Sequence, residues 1–218
     1  MINWIVFVLC VSCSVAQAKL TPTESRAFTA AIEGNLSALK KLPASFAWNK
    51  QDHAGETLLI KAVATGQVEV VQFLLKKKVK LDKRDKAGNT ALFYAVANND
   101  VPVAGELILG GSDLTLTYGK KKEHVLFEAA RVGAREIGDQ ILVKNKALLN
   151  QLNADDESPL MAAIKGAQTS LAQHWIGQGA QISHKTRNGK TMAQFALDHG
   201  VNQKSSLYQA LLSQAEAK

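Results

Sequence analysis

The chain has 218 residues, of which 46% are hydrophobic and 21% are charged, and this ordinary composition excludes a wholly disordered protein. Its length also excludes several large domains. The formal net charge of +7 favours an acidic partner or an anionic polymer. The basic stretches are not interleaved with aromatic residues and no nucleic-acid-binding motif is present, so nucleic-acid binding is not predicted.

The N-terminus differs from the rest of the chain. Residues 1–18 carry no charged side chain, and an apolar run at 4–11 precedes the sequence Ala16-Gln17-Ala18. This order predicts a cleavable signal peptide over 1–18, and the run is too short for a transmembrane helix. An uncleaved N-terminal helix stays open because the first three residues lack Lys and Arg, and lipidation at Cys13 stays open as well.

Because the chain is predicted to be exported, the bacterial periplasm is the first choice of compartment and secretion is the second choice. Both cysteines lie within the segment that we expect to be removed. The remaining single domain, 19–218, would then have no disulfide and would be held together by packing alone.

The first predicted unit has two short helices. Thr23 or Ser25 is expected to cap a helix from Arg26 to Glu33, and Gly34 ends it. Leucines at helical spacing then predict a second helix, which Pro43 ends. Phe46 and Trp48 in the connection are expected to close the end of the core rather than to bind a ligand.

The next units repeat one pattern with a period of about thirty-three residues. Its recurring positions are Asp52, Gly55, Thr57, Leu59 and Ala62, which meet Asp85, Gly88, Thr90, Leu92 and Ala95 in the next unit. Thr57 is expected to cap the first helix of its unit, and Gly66 to end it. Lys76, Lys77 and Lys78 follow the second helix, where they interact favourably with its dipole.

The fourth unit is irregular and the last two return to the pattern. Lys122 occupies the glycine position of the turn, which predicts strain or a different turn, and His124 replaces the capping threonine. We therefore expect the fourth unit to be the least stable one, or one reshaped for binding. Pro159 is expected at the first position of a helix. The predicted units span 23–51, 52–84, 85–117, 118–152, 153–185 and 186–218.

The repeated pattern resembles that of the ankyrin repeat, D-x-x-G-x-T-P-L-x-x-A-A followed by a glycine after the first helix and a Leu-Leu pair that ends the second. The resemblance covers about 25–212. It implies an all-α solenoid of helix-turn-helix units with β-hairpin-like finger turns. Such repeats recognise other macromolecules and rarely carry catalysis.

As the resemblance implies, two sets of positions face a partner. The finger positions are His53, Glu56, Lys83, Arg84, Lys86, Asn89, Tyr118, Lys120, Lys121, Glu123, Asp155, Glu157, Lys185, Arg187, Asn188 and Lys190, and the groove positions are Ala64, Thr65, Asn98, Arg131, Lys165 and Asp198. From these we predict the partner-binding residues Lys83, Arg84, Lys86, Asn89, Asn98, Tyr118, Lys120, Lys121, Arg131, Lys185, Arg187 and Lys190.

Stacked fingers should arrange these cations as surface ridges. Lys83, Arg84, Lys86, Lys120 and Lys121 are expected to form one basic ridge with Tyr118 beside it as an interface anchor, and Lys185, Arg187 and Lys190 are expected to form another. An acidic finger, with Asp155 and Glu157, separates the two. The alternative is that the finger lysines are solvated residues that serve solubility.

The sequence contains no catalytic, cofactor or metal motif. The five histidines have no metal-ligand spacing, and no P-loop, nucleophile elbow or dinucleotide fingerprint is present. Asp155, Asp156 and Glu157 could attract Ca²⁺, but no EF-hand pattern surrounds them, so a solvated acidic turn is expected. An enzyme is therefore the least favoured class.

We predict a non-enzymatic periplasmic protein-binding module that is monomeric when free and that grips an acidic protein. As the resemblance to small exported bacterial ankyrin proteins implies, the chain would act as an inhibitor, an immunity partner or a protective partner of an envelope protein. The second hypothesis is binding of an anionic envelope polymer or lipid, and it follows from the net charge. A further alternative is an accessory role in periplasmic defence against oxidative stress.

Overall fold

The computed structural model describes residues 20–216. In this range the chain forms twelve α-helices in six consecutive pairs, together with one two-stranded sheet and one 3₁₀ helix. The predicted all-α solenoid is confirmed. The predicted signal peptide, its processing site and Cys13 lie outside the described residues.

Each unit contributes one pair of helices. They are α1 Pro22–Glu33 and α2 Leu36–Lys40; α3 Leu58–Ala64 and α4 Val68–Lys76; α5 Ala91–Ala97 and α6 Val101–Leu109; α7 Val125–Val132 and α8 Arg135–Lys144; α9 Pro159–Lys165 and α10 Thr169–Gly177; α11 Met192–Asp198 and α12 Ser206–Glu216. The strands are β1 Thr117–Tyr118 and β2 Glu123–His124, and the 3₁₀ helix is Lys146–Asn150. We number the units one to six in this order.

Side-chain caps fix where most of the first helices begin. Thr57 accepts a hydrogen bond from the backbone N–H of Ile60, and Thr90, Ser158 and Thr191 cap their helices in the same way. Pro159 occupies the first helical position, as predicted.

The first helix begins earlier than the predicted start at Arg26. Thr21 and Glu24 form a reciprocal capping box, in which the Glu24 N–H donates to Thr21 Oγ1 at 3.2 Å and the Thr21 N–H donates to Glu24 Oε2 at 2.8 Å. Pro22 follows the cap and fits the first turn because its missing N–H needs no partner there. The expected cap at Thr23 or Ser25 was therefore wrong.

Small residues let the first helices of neighbouring units approach closely. Ala62, Ala95, Ala129, Ala163 and Ala196 occupy equivalent positions in units two to six, and all are fully buried. A larger side chain at any of them would force the stacked helices apart. Leu74, Leu107 and Ile141 fill the space between first and second helices and are also fully buried.

The N-terminal end of the stack is closed by aromatic side chains. Phe46 and Trp48 pack edge to face with ring centroids 4.9 Å apart, and Trp48 packs on Phe73 at 5.5 Å. All three are half-buried. Within residues 20–216, no helix combines the length and the apolar character that crossing a bilayer requires.

Candidate partner-binding face

A tight turn, or finger, connects each unit to the first helix of the next. The fingers are 52–56 in unit two, 85–89 in unit three, 118–123 in unit four, 153–157 in unit five and 186–190 in unit six. Four of them close with the same backbone hydrogen bond, from the N–H of the first residue to the carbonyl of the fifth, at 2.9 to 3.0 Å. Their shape is therefore set locally.

The first residue of a finger also organises the turn with its side chain. Asp52 Oδ1 accepts hydrogen bonds from the N–H groups of Ala54 and Glu56, and Asn153 Oδ1 does the same in unit five. Gly55 lies in the left-handed region at φ +78°, and a Cβ there would come within 2.9 Å of the Lys86 nitrogen of the next finger. Asp156 adopts the corresponding conformation at φ +60°.

The unit-four finger is a genuine β-hairpin. Thr117 pairs with His124 and Tyr118 with Glu123, and the loop between them holds three consecutive lysines. Lys122 lies at φ +52° and Gly119 at φ +62°, so the chain both tolerates a strained lysine and adopts a longer turn. Lys120, Lys121 and Lys122 are exposed at its end.

The fingers stack into one row. The Lys86 N–H donates to the Ala54 carbonyl at 2.9 Å, and the Ala154 N–H donates to the Lys121 carbonyl at 2.7 Å. Between the other neighbours, arginines take the place of backbone contacts. Arg84 donates to the Gly88 and Thr117 carbonyls at 2.7 and 3.0 Å, and Arg187 donates to the Ala154 carbonyl at 3.0 Å. Arg84 and Arg187 therefore brace adjacent fingers.

Tyr118 is not the exposed anchor that the sequence suggested. Its side chain is 7% exposed, its hydroxyl lies 2.8 Å from Thr90 Oγ1, and the half-buried Arg84 guanidinium stands 5.3 Å from its ring centroid. Burial raises the pKa of the Tyr118 phenol, although its hydrogen bond with Thr90 opposes the rise. In a strand of two residues one side chain must face the core, and here it is Tyr118.

Ion pairs within the row neutralise much of the expected basic ridge. Lys121 Nζ lies 3.0 Å from Asp155, Arg187 lies 3.1 Å from Asp156, and Lys190 Nζ lies 2.5 Å from Asp198. The Lys121 hydrogen bond lowers the pKa of the Asp155 carboxyl. Pairs this exposed add little to stability, but they leave less net charge for a partner than the sequence implied.

Other predicted residues are likewise engaged within the chain. Arg131 contacts Glu123 at 2.7 Å and Glu128 at 2.6 Å. The finger residue Glu56 forms an ion pair with Lys61, Lys83 donates to the Gln51 amide oxygen at 3.3 Å, and Asn98 donates to the Ala64 carbonyl at 3.4 Å. His53 and Thr65 are exposed, and Asn89 is half-buried at the end of its finger.

Four lysines in or directly beside the fingers stay available to a partner. Lys86, Lys120, Lys122 and Lys185 are exposed and form no ion pair within residues 20–216. Lys122 is not among the predicted binding residues, because its sequence position indicated only an unusual turn. Its position in a lysine triplet was the signal that could have identified it.

Predicted finger and groove positions converge in a cleft between units five and six. The cleft has a volume of about 250 Å³ and is lined by Asp155, Asp156, Glu157, Lys165, Thr186, Arg187, Asn188, Lys190, Phe195, Asp198 and His199. Lys165 Nζ stands 5.7 Å from the Phe195 ring centroid and also pairs with Glu157. Burial raises the pKa of the Glu157 carboxyl, but Lys165 and Lys121 outweigh it and the pKa is lowered.

The predicted finger and groove positions omit four residues of this cleft, which are Asp156, Thr186, Phe195 and His199. Phe195 forms its apolar wall and is 6% exposed, and the His199 ring lies 4.2 Å from it. His199 Nδ1 lies 2.8 Å from the Phe195 carbonyl and donates to it, which leaves Nε2 for a partner in the neutral ring. Phe195 and His199 lie close in sequence to Asp198, so the spacing of the groove positions could have included them.

Comparison with known proteins supports this description. The family model "Ankyrin repeats (3 copies)" matches residues 27–118. The chain is similar to the immunity protein Bd3460, solved in complex with the Bd0816 predatory endopeptidase from Bdellovibrio bacteriovorus, with 30% identity, a TM-score of 0.77 and coverage of 90% of this chain and 100% of that chain. No curated protein sequence matches the chain.

Two further structures share the fold at lower identity. An ankyrin repeat domain from Acinetobacter baumannii AYE (ABAYE2397) has 20% identity and a TM-score of 0.77, with coverage of 87% of this chain and 97% of that chain. The human ASB11 ankyrin repeat domain has 20% identity and a TM-score of 0.64, with coverage of 89% and 98%.

Proposed function

The chain belongs to the ankyrin-repeat family, and we propose that it is a non-enzymatic module that binds another protein through the finger row and the cleft between units five and six. The likeness to the immunity protein Bd3460 carries this proposal, because it extends over the whole of that chain at 30% identity. That protein is in complex with an endopeptidase. By analogy, the partner here is an envelope peptidase that this chain inhibits.

The geometry of the face supports recognition of a charged partner. Backbone hydrogen bonds and the braces from Arg84 and Arg187 hold the fingers in place before any partner arrives, so little conformational entropy is lost on binding. The charge pattern alternates along the row. Exposed lysines in units three and four are followed by the acidic finger of unit five and the basic finger of unit six. A complementary partner presents acidic groups to units three and four.

The cleft offers a place for an inserted side chain or a chain end. Its apolar wall, Phe195, can bury an aliphatic group, while Lys165 and Lys190 stand where they can receive a carboxylate. Binding such a group would compete with the internal pairs to Glu157 and Asp198, so this contact favours specificity more than affinity.

The proposed setting is the periplasm, with the chain monomeric before it meets its partner. This proposal rests on the apolar segment at 4–11 and the A-x-A sequence at 16–18, which are typical of exported proteins.

Capture from a periplasmic extract of the source bacterium, followed by identification of the bound protein, tests the proposal. We expect one stoichiometric protein, weaker capture at moderate than at low salt, and inhibition of that protein's peptidase activity by the purified chain. The test variant replaces the unit-four lysines by Lys120→Gln, Lys121→Gln and Lys122→Asn, and it should reduce capture.

A matched control carries the same substitutions at Lys76, Lys77 and Lys78. This triplet also ends in a left-handed lysine, since Lys78 lies at φ +54°, but it lies outside the fingers. The control should capture the partner as well as the wild-type chain does. Equal loss in both variants, or no stoichiometric protein at either salt concentration, would overturn the proposal.

A further inference from the structure

A second row of loops runs along the solenoid beside the second helices. We define it as the last residue of each second helix in units one to five and the four residues that follow, which gives 40–44, 76–80, 109–113, 144–148 and 177–181, and we call it the outer-loop row. Hydrogen bonds tie three of these loops to the connecting segments of the preceding units. The N–H groups of Lys80, Asp113 and Gln181 donate to the side-chain oxygens of Asn49, Asp82 and Asn150 of the preceding unit at 2.7, 3.1 and 2.8 Å.

The outer-loop row carries the excess charge of the protein. It contains eight lysines and one acidic residue, Asp113, so its net charge of +7 equals that of the whole chain and the remaining charges balance. The lysines are Lys40, Lys41, Lys76, Lys77, Lys78, Lys80, Lys144 and Lys146, and every one of them is exposed.

These lysines have no acidic partners, unlike several cations of the protein-binding face. Within residues 20–216, none of the eight forms an ion pair, whereas Lys121, Arg131, Arg187 and Lys190 all do. Favourable interaction with helix dipoles explains cations in the last turn of a helix, but it falls off beyond that turn. It therefore does not explain the lysines further along the loops.

Exposed apolar side chains accompany the lysines. Leu109, at the end of α6, is 74% exposed, and Val143, one residue before the end of α8, is 84% exposed. The half-buried Trp48 lies beside the row, with Lys77 Nζ 5.5 Å from its ring centroid. Aliphatic and tryptophan side chains among unpaired lysines suit the boundary between anionic headgroups and acyl chains better than they suit a soluble polyanion.

We propose that the outer-loop row binds the surface of an anionic phospholipid bilayer. The lysine ammonium groups donate to headgroup phosphates, and Leu109 and Val143 enter the headgroup boundary. The outer-loop row shares no residue with the fingers, so a membrane-bound molecule would keep its protein-binding face available. This inference goes beyond the proposed function and does not depend on it.

Sedimentation with vesicles tests the proposal on the full chain. We expect binding to vesicles of phosphatidylglycerol and phosphatidylethanolamine at low salt, loss of that binding at high salt, and much weaker binding to neutral phosphatidylcholine vesicles. The neutral vesicles also control for any contribution of the apolar N-terminal segment. Soluble polyglutamate at equal charge should compete poorly.

Two lysine triplets provide the matched comparison. The variant Lys76→Gln, Lys77→Gln, Lys78→Asn should bind anionic vesicles about a hundredfold more weakly, since each lysine near the surface contributes about a fivefold factor. The variant Lys120→Gln, Lys121→Gln, Lys122→Asn removes the same charge from a finger and should bind nearly as the wild type does. A third variant, Leu109→Ser with Val143→Ser, should lose about tenfold.

Three results would overturn the proposal. They are equal weakening by the two lysine triplets, wild-type binding that does not distinguish anionic from neutral vesicles, and full competition by polyglutamate with no effect of Leu109→Ser and Val143→Ser. The last result would identify an acidic protein or polymer as the ligand of the row. Capture of the periplasmic partner by each triplet variant reports on the fingers separately, so failure of one proposal is distinguishable from failure of the other.

Discussion

Protonation of His124 should make the stability of this protein fall between neutral and mildly acidic pH. His124 stands at the N-cap of α7, where units two, three, five and six have a capping threonine or serine, and its side chain makes no capping bond. It is 1% exposed, its ring lies 4.7 Å from Phe127, and within residues 20–216 neither ring nitrogen makes a well-formed hydrogen bond. Burial lowers the pKa of His124 to about 4, although the Gln151 backbone and the charge of Glu123 partly oppose it.

The direction and size of the effect follow from that pKa. In the unfolded chain the imidazole titrates near its ordinary value of about 6.5, so protons bind the unfolded state more tightly than the folded state. The contribution of neutral His124 is therefore fully present above about pH 6.5 and is lost as the pH falls toward 4. Between pH 7.5 and 4.5 the loss amounts to about 2.5 kcal/mol in the free energy of unfolding.

Urea unfolding at several pH values measures the contribution of His124 to the free energy of unfolding. Wild type and His124→Thr are compared, and only the difference in pH dependence is used, because the substitution also removes ring contacts with Phe127 and restores a capping hydroxyl. The variant should lose about 2.5 kcal/mol less than the wild type over the same pH range. Parallel curves for the two proteins, or an NMR titration in which the His124 ring protonates near pH 6.5, would refute the reasoning.

Further substitutions test the packing of the core and the role of Tyr118. Gly138→Ala should destabilise the protein by about 1–3 kcal/mol in urea unfolding, because the new Cβ would lie 2.9 Å from the fully buried Trp175 ring. In the matched control Gly177→Ala, the new Cβ meets no atom of the described residues within 4 Å, so this substitution should be neutral or stabilising. Tyr118→Phe should cost about 1 kcal/mol through its lost hydrogen bond with Thr90 and leave partner capture unchanged; weaker capture with unchanged stability would restore Tyr118 as a contact residue.

The periodic part of the sequence predicted the fold because each unit buries the same positions. Buried alanines such as Ala95 and Ala163, capping residues such as Thr57, and stops such as Gly66 are local features with a fixed spacing. The start of α1 was predicted wrongly, although the sequence contains the pattern that determines it. The order Thr21-Pro22-Thr23-Glu24 contains the capping box that places the start of α1.

The surface was harder to predict because its contacts join residues from different units. Lys121 and Asp155 are far apart in sequence, and only the stacking of their fingers brings them to 3.0 Å. The burial of Tyr118 likewise depends on which of the two side chains of β1 faces the core. Considered alone, the sequence position of Lys76, Lys77 and Lys78 indicated only an interaction with the helix dipole. The structure places neighbouring loops beside these lysines, and this arrangement makes them part of a charged row.

Hydrogen exchange on the complex with the captured protein tests the central claim most directly. Binding through the finger row predicts slower exchange of backbone amides at 119–122, 154–157 and 187–190, with exchange in the outer-loop segments 76–80 and 144–148 unchanged. Protection confined to the outer-loop segments, with finger amides exchanging as in the free protein, would contradict it.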